Sequence, residues 1–236
     1  MAIRPSDCSH EQHYDLPGLM RNKQRPLHHE PRWPAAIALV AALALYLFLP
    51  ATLIVGPRWL LPTLEGLLVI PLLITNPDRR ESNTAPLRVI SILLIAIISI
   101  ANISALTLLV HDLLRDTDID GKPLIYSAIA LWFNNVIVFA LWYWELDGGG
   151  PADRHSVSVK DRDFLFPQQN TPEVFTDPWM PRFFDYLYTS FTNSTAFSPT
   201  DTMPLTRRAK ALMMLQSGSA LVTIVLVASR ALNILK

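Results

Sequence analysis

Apolar residues along this chain are concentrated in five blocks separated by short polar connectors. Trp33–Val55 carries no charge over about 23 residues, enough at 1.5 Å per residue to cross a hydrocarbon core of roughly 30 Å. Leu60–Thr75 is shorter and is interrupted by Pro62, Glu65, Gly66 and Pro71, which predicts a kinked crossing or a segment buried against other helices. Leu87–Leu109 is the most uniformly apolar block. Leu124–Trp144 ends in Trp142, Tyr143 and Trp144, an arrangement expected at a membrane interface, and Ala209–Leu235 is long enough to span easily. The pattern predicts an all-α fold, a polytopic transmembrane helix bundle of about five spans.

The polar stretches divide the chain further. Residues 1–32 hold acidic groups and prolines but no apolar run, so they read as a flexible N-terminal tail and not as a signal peptide. Residues 33–144 form the four-span membrane region. Residues 145–180, with Gly148–Gly150, several prolines and mixed charges, read as an extramembrane loop. In residues 181–236 an aromatic amphipathic segment, Phe183–Phe191, leads into serines and threonines broken by Pro199 and then into the last spanning helix. That is the order of a pore hairpin: short helix, polar loop, spanning helix.

Composition fits this picture and excludes several alternatives. Half the residues are apolar, 17% are charged, the mean hydropathy is +0.27 and the net charge is zero, so no basic field is present to attract nucleic acid. Cys8 is the only cysteine, which excludes an intramolecular disulfide and a cysteine metal cage. The alternation Asp116, Asp118, Asp120 suggests a calcium loop, but the twelfth position is Tyr126 where a glutamate ligand is needed, and His155 has no second ligand at suitable spacing. No metal and no cofactor are expected. Nor does any nucleophile–base pair or glycine-rich phosphate loop point to an enzyme.

Polar groups inside the apolar blocks are the candidate functional residues. Glu65, Asn102, Asn134 and Asn135 each need partners, because an unpaired polar group in hydrocarbon costs several kcal/mol. For the tandem asparagines, bonding between helices outweighs a role in permeation. On the last helix Gln216, Ser219, Thr223 and Arg230 fall on one stripe at 100° per residue, with Arg208 close by. Such a stripe faces a water-filled path or the polar side of neighbouring helices.

The segment before that helix resembles the pore domain of tetrameric potassium channels. In that family a glycine-containing filter ends in aspartate, followed by proline and threonine, and here Asp201, Pro204 and Thr206 take those three places. Ala196–Thr200 then falls on the filter. Ser198 and Thr200 replace its glycines, and Pro199 fixes φ and lacks an N–H, so the resemblance does not extend to a potassium filter. A constriction in this hairpin would instead be lined by the hydroxyls of Ser194, Thr195, Ser198 and Thr200 around Pro199, with Asp201 at the mouth. The last 110 or so residues are also similar to a family of bacterial inner-membrane proteins to which no function is assigned. Phe139, Ala140, Leu141, Tyr143 and Leu146, then Asp163–Pro167, Asp185–Thr192, Asp201, Arg208 and Asn233 carry that similarity.

The resemblance implies a multi-pass protein of the bacterial plasma membrane. Arginines and lysines in the tail and in the connector at Arg79, Arg80 and Arg88 place the N-terminus in the cytoplasm by the positive-inside rule. The function expected is a channel-like protein with a pore-loop hairpin but no potassium-type filter, or else a non-conducting scaffold or accessory subunit. The lipid bilayer is its expected partner, and a pore would require copies of the chain to converge as a homo-oligomer.

Overall fold

The computed structural model describes residues 33–54, 57, 59, 62–63, 84–114, 121–170, 179–195 and 201–234. Five helices of more than two turns organise them: α1 (Trp33–Leu47), α2 (Thr84–Leu114), α3 (Gly121–Leu146), α4 (Phe183–Thr195) and α5 (Arg207–Ile234). Among the described residues three helices are long and apolar enough to cross a membrane, through the stretches Arg88–Leu113 in α2, Pro123–Gly149 around α3 and Arg207–Ser229 in α5. This is an α-helical protein with the build of a membrane protein.

The first apolar block does not form one helix. α1 stops at Leu47 after 15 residues, about 22 Å, and the chain continues through a turn into a short 3₁₀ segment, Ala51–Leu53. Pro50 is the reason, since it has no N–H with which to continue the ladder to the preceding turn. Apart from Pro62 and Thr63, the second predicted crossing, Leu60–Thr75 with Glu65, lies outside the described residues.

α3 is the centre of the bundle and packs against α1, α2, α4 and α5. Its apolar stretch is 56% buried inside the protein, against 33% for α2 and 17% for α5, so the outer faces of α2 and α5 are the ones that need an apolar environment. At one end of the bundle Ala35, Ala38 and Leu39 pack with Leu94, Ile95, Ile98, Tyr143, Trp144 and Phe183. At the other end Tyr46, Leu49 and Leu53 pack with Ala105, Leu109, Leu124 and Leu131. α1 and α2 therefore run in the same direction, and α3 runs against both.

Beyond α3 the chain folds on through residue 170. Residues 147–170 form a compact lobe containing a 3₁₀ turn at Asp147–Gly149, the strand β1 (Phe164–Leu165) and a single helical turn, Pro167–Asn170. β1 pairs antiparallel with β2 (Met203–Pro204), which precedes α5. Gly148, Gly149 and Gly150 all have positive φ, at 59°, 87° and 95°. At Gly148 a Cβ would lie 3.3 Å from Cγ of Arg154 and 3.4 Å from Cγ of Arg162, so this turn lets two arginines pack over the backbone. Within the loop expected at 145–180, residues 147–170 form a folded lobe.

Candidate functional site

α4 begins with a carboxylate reaching back to the helix start: Asp185 Oδ2 accepts the Arg182 N–H at 2.7 Å. α5 begins at Thr206, whose Oγ1 accepts the Ala209 N–H at 3.2 Å. Between these starts, α4 lies antiparallel to α3. Phe183 packs edge-on against Trp144 near the end of α3, Ser190 Oγ donates to the Val136 carbonyl at 2.6 Å, and Phe191 meets Trp132 with ring centroids 5.7 Å apart. α4 therefore descends from the lobe to the middle of α3, and the described chain reappears at Asp201, next to the strand that pairs with the lobe.

The face of α4 turned inward is polar. Gln216 of α5 is fully buried, and its amide donates to the Ser190 carbonyl at 2.9 Å, to Ser190 Oγ at 2.6 Å and to Ser194 Oγ at 2.7 Å. Its carbonyl oxygen accepts Nδ2 of Asn193 at 2.9 Å and the Tyr143 hydroxyl. Ser217 donates to Asn193 Oδ1 at 3.1 Å, and Thr189 meets Thr202 at 3.1 Å. The seam continues along α5: Asn135 Nδ2 donates to the Gln216 backbone carbonyl at 3.4 Å, and Ser219 Oγ donates to Asn135 Oδ1 at 3.0 Å. Outward, the same short helix shows Phe184, Tyr188 and Phe191. A helix with hydroxyls inside and aromatic rings outside is patterned for apolar surroundings.

A second cluster sits where α3 enters the lobe. Asp147 is fully buried; its Oδ1 accepts the Asp163 and Phe164 N–H groups at 2.8 and 3.1 Å, and its Oδ2 accepts the Tyr186 hydroxyl. Arg154 Nε lies 3.6 Å from Asp147 Oδ2, its guanidinium stacks 4.8 Å from the Tyr186 ring centroid, and it also donates to the Trp144 and Pro181 carbonyls. Asp163, also fully buried, takes Arg208 of α5 in a two-point grip at 2.5 and 2.6 Å and accepts the Thr206 hydroxyl. Arg162 is 4% exposed, and burial pushes its guanidinium below the ordinary value, opposed by the nearby Asp147 charge.

The predicted residues divide as follows. Gln216, Ser219, Thr223 and Ser194 converge on the seam or its extension, Thr223 donating to the Ser219 carbonyl at 2.9 Å. Asn134 reaches across to Asn102 at 3.2 Å and ties α3 to α2, whereas Asn135 belongs to the seam. Thr195 closes α4 by donating to the Thr192 carbonyl at 2.8 Å, and Asp201 is exposed. Arg208 departs from the stripe and serves the charge cluster; Arg230 falls on α5 two turns past Thr223. Ser198, Pro199 and Thr200 lie outside the described residues. Asp147, Arg154 and Arg162 were not among the predicted residues. The available signal was a group of opposite charges beside a triple glycine in a chain with few charges.

Comparison of the chain with protein-family models, curated proteins and solved structures gave no match.

Proposed function

We propose that this is an integral membrane protein of pore-loop build, in which α4 and the segment after it form a hairpin that dips to mid-membrane and returns on the side it entered. The carrying observation is the depth of α4. It starts beside Trp144 and ends level with Trp132 and Val136, halfway along the α3 stretch, and the chain is back beside the lobe by Met203. Two further crossings complete the proposed count of five. Residues 54 and 84 lie at opposite ends of the bundle because α1 and α2 run the same way, so one more traverse is needed between them. Arg88, Arg154, Lys160, Arg162, Arg182 and Arg208 all lie at the lobe end, which favours a cytoplasmic lobe and N-terminus; the resemblance noted above suggests a bacterial plasma membrane.

In this reading the protein works as a homo-oligomer and small ions pass between copies, close to Asp201. A path inside one chain is disfavoured because the stripe of Gln216 and Ser219 is spent on α3 and α4. The test is single-channel recording on the reconstituted full-length protein. Conductance that falls with Asp201→Asn is expected, and purified oligomer that never conducts would sink the channel reading. The closed seam itself favours the second reading, a non-conducting scaffold or accessory subunit, for which a single protomer per particle is expected on cross-linking.

A further inference from the structure

One buried guanidinium beyond α3, that of Arg162, is incompletely satisfied among the described residues. Arg162 is buried beside Arg154 and Asp147; Asp147 is shared between Arg154, Tyr186 and two backbone N–H groups, and Asp163 is committed to Arg208 and Thr206. Arg162 donates only through Nη2, to the Arg154 carbonyl at 3.1 Å, the Val157 carbonyl at 3.3 Å and the Met180 sulfur at 3.5 Å. Its Nε and Nη1 have no acceptor among the described residues. An arginine keeps its charge at any physiological pH, and a buried charged group with unsatisfied donors is strongly unfavourable. A thioether is a poor acceptor for such a group and an oxyanion a far better one. Met180 and its neighbour Trp179 are half-buried, so the side of Arg162 nearest the surface is the one with the weakest bond. This point lies just past the end of α3, at the depth of lipid phosphates for a helix that crosses a bilayer.

We propose that Arg162 is the centre of a binding site for one phosphate-type oxyanion, which displaces the Met180 sulfur and engages the unused donors. The phosphate comes from an anionic phospholipid headgroup or from the free ion. The full-length protein is melted in phosphate-free detergent against added inorganic phosphate, and separately in phosphatidylcholine vesicles with and without phosphatidylglycerol. A rise in Tm of roughly 5 °C at saturation is expected. A rise with phosphatidylglycerol alone identifies the headgroup, and a rise with both identifies a general phosphate site. Arg162→Gln loses the shift, whereas Arg208→Gln, which loosens the neighbouring pair without touching Arg162, retains it. If Arg162→Gln does not fold, native mass spectrometry of the unaltered protein decides, with retained phospholipid or phosphate as the supporting result. Absence of a shift and of any retained phosphate group overturns the proposal, and so does a shift that survives in Arg162→Gln.

Discussion

Side chains of the same type carry very different weight here, according to what each would leave behind. Gln216 satisfies Ser190, Ser194, Asn193 and Tyr143 together, so Gln216→Leu strands several buried partners and is expected to cost about 2–4 kcal/mol in a thermal or denaturant melt in detergent. Asn134 makes one bond, to Asn102, and its own Oδ1 is buried without a partner. Asn134→Leu removes that unsatisfied acceptor along with the bond and should change stability by less than about 1 kcal/mol, in line with the modest value of such bonds between membrane helices. The Asp163–Arg208 pair is asymmetric in another way, because the carboxylate is fully buried while the Arg208 side chain is 55% exposed. Arg208→Gln leaves a buried charge held mainly by Thr206 and should cost about 2–3 kcal/mol, whereas Asp163→Asn releases an arginine to water and should cost about 1 kcal/mol. Equal losses from the two variants would show that Asp163 reaches water after all. The polar residues of the apolar blocks were legible in the sequence as groups in need of partners. Which partners they take was not, since Asn135 and Ser219 are brought together only by helix packing.

Among the elements, boundaries follow local chemistry and orientation follows the core. Pro50 stops α1, Thr206 starts α5, and Asp185 closes the first turn of α4, all features readable from a few neighbouring residues. The lobe at 147–170 is different. Its glycines and prolines look like an open loop, yet the positive φ values at Gly148–Gly150 fold it back so that Arg154 and Arg162 cover the turn. Gly148→Ala should therefore cost about 1–2 kcal/mol through its left-handed backbone, with added crowding against the two arginines. Gly218 of α5 is helical and has open space where a Cβ would stand, so Gly218→Ala should be neutral or stabilising by up to about 1 kcal/mol. A large loss of stability at Gly218, together with loss of oligomer on cross-linking, would mean that a second copy packs against it.

For the molecule as a whole, the test is which end each segment occupies. In a Cys8→Ser background, single cysteines at Ser156 and Asp201 should react with an impermeant maleimide from the same side of sealed vesicles, and one at Pro57 from the opposite side. Labelling of Pro57→Cys from the side of Ser156 would contradict the parallel course of α1 and α2 and with it the fifth crossing.

The sequence by itself determined that the chain is helical and built for a membrane, because the length of an apolar run is a local property and a crossing helix needs little else. It also marked the short aromatic helix and the polar stripe, since helical periodicity fixes which residues share a face. Only the tertiary structure decided where those faces turn. It set the stripe of α5 against α3 and α4, and it gathered Asp147, Arg154, Asp163 and Arg208 into one cluster. The physical reason is that a hydrogen bond or ion pair between residues up to 84 positions apart depends on the packing of whole helices and not on the neighbours of either residue.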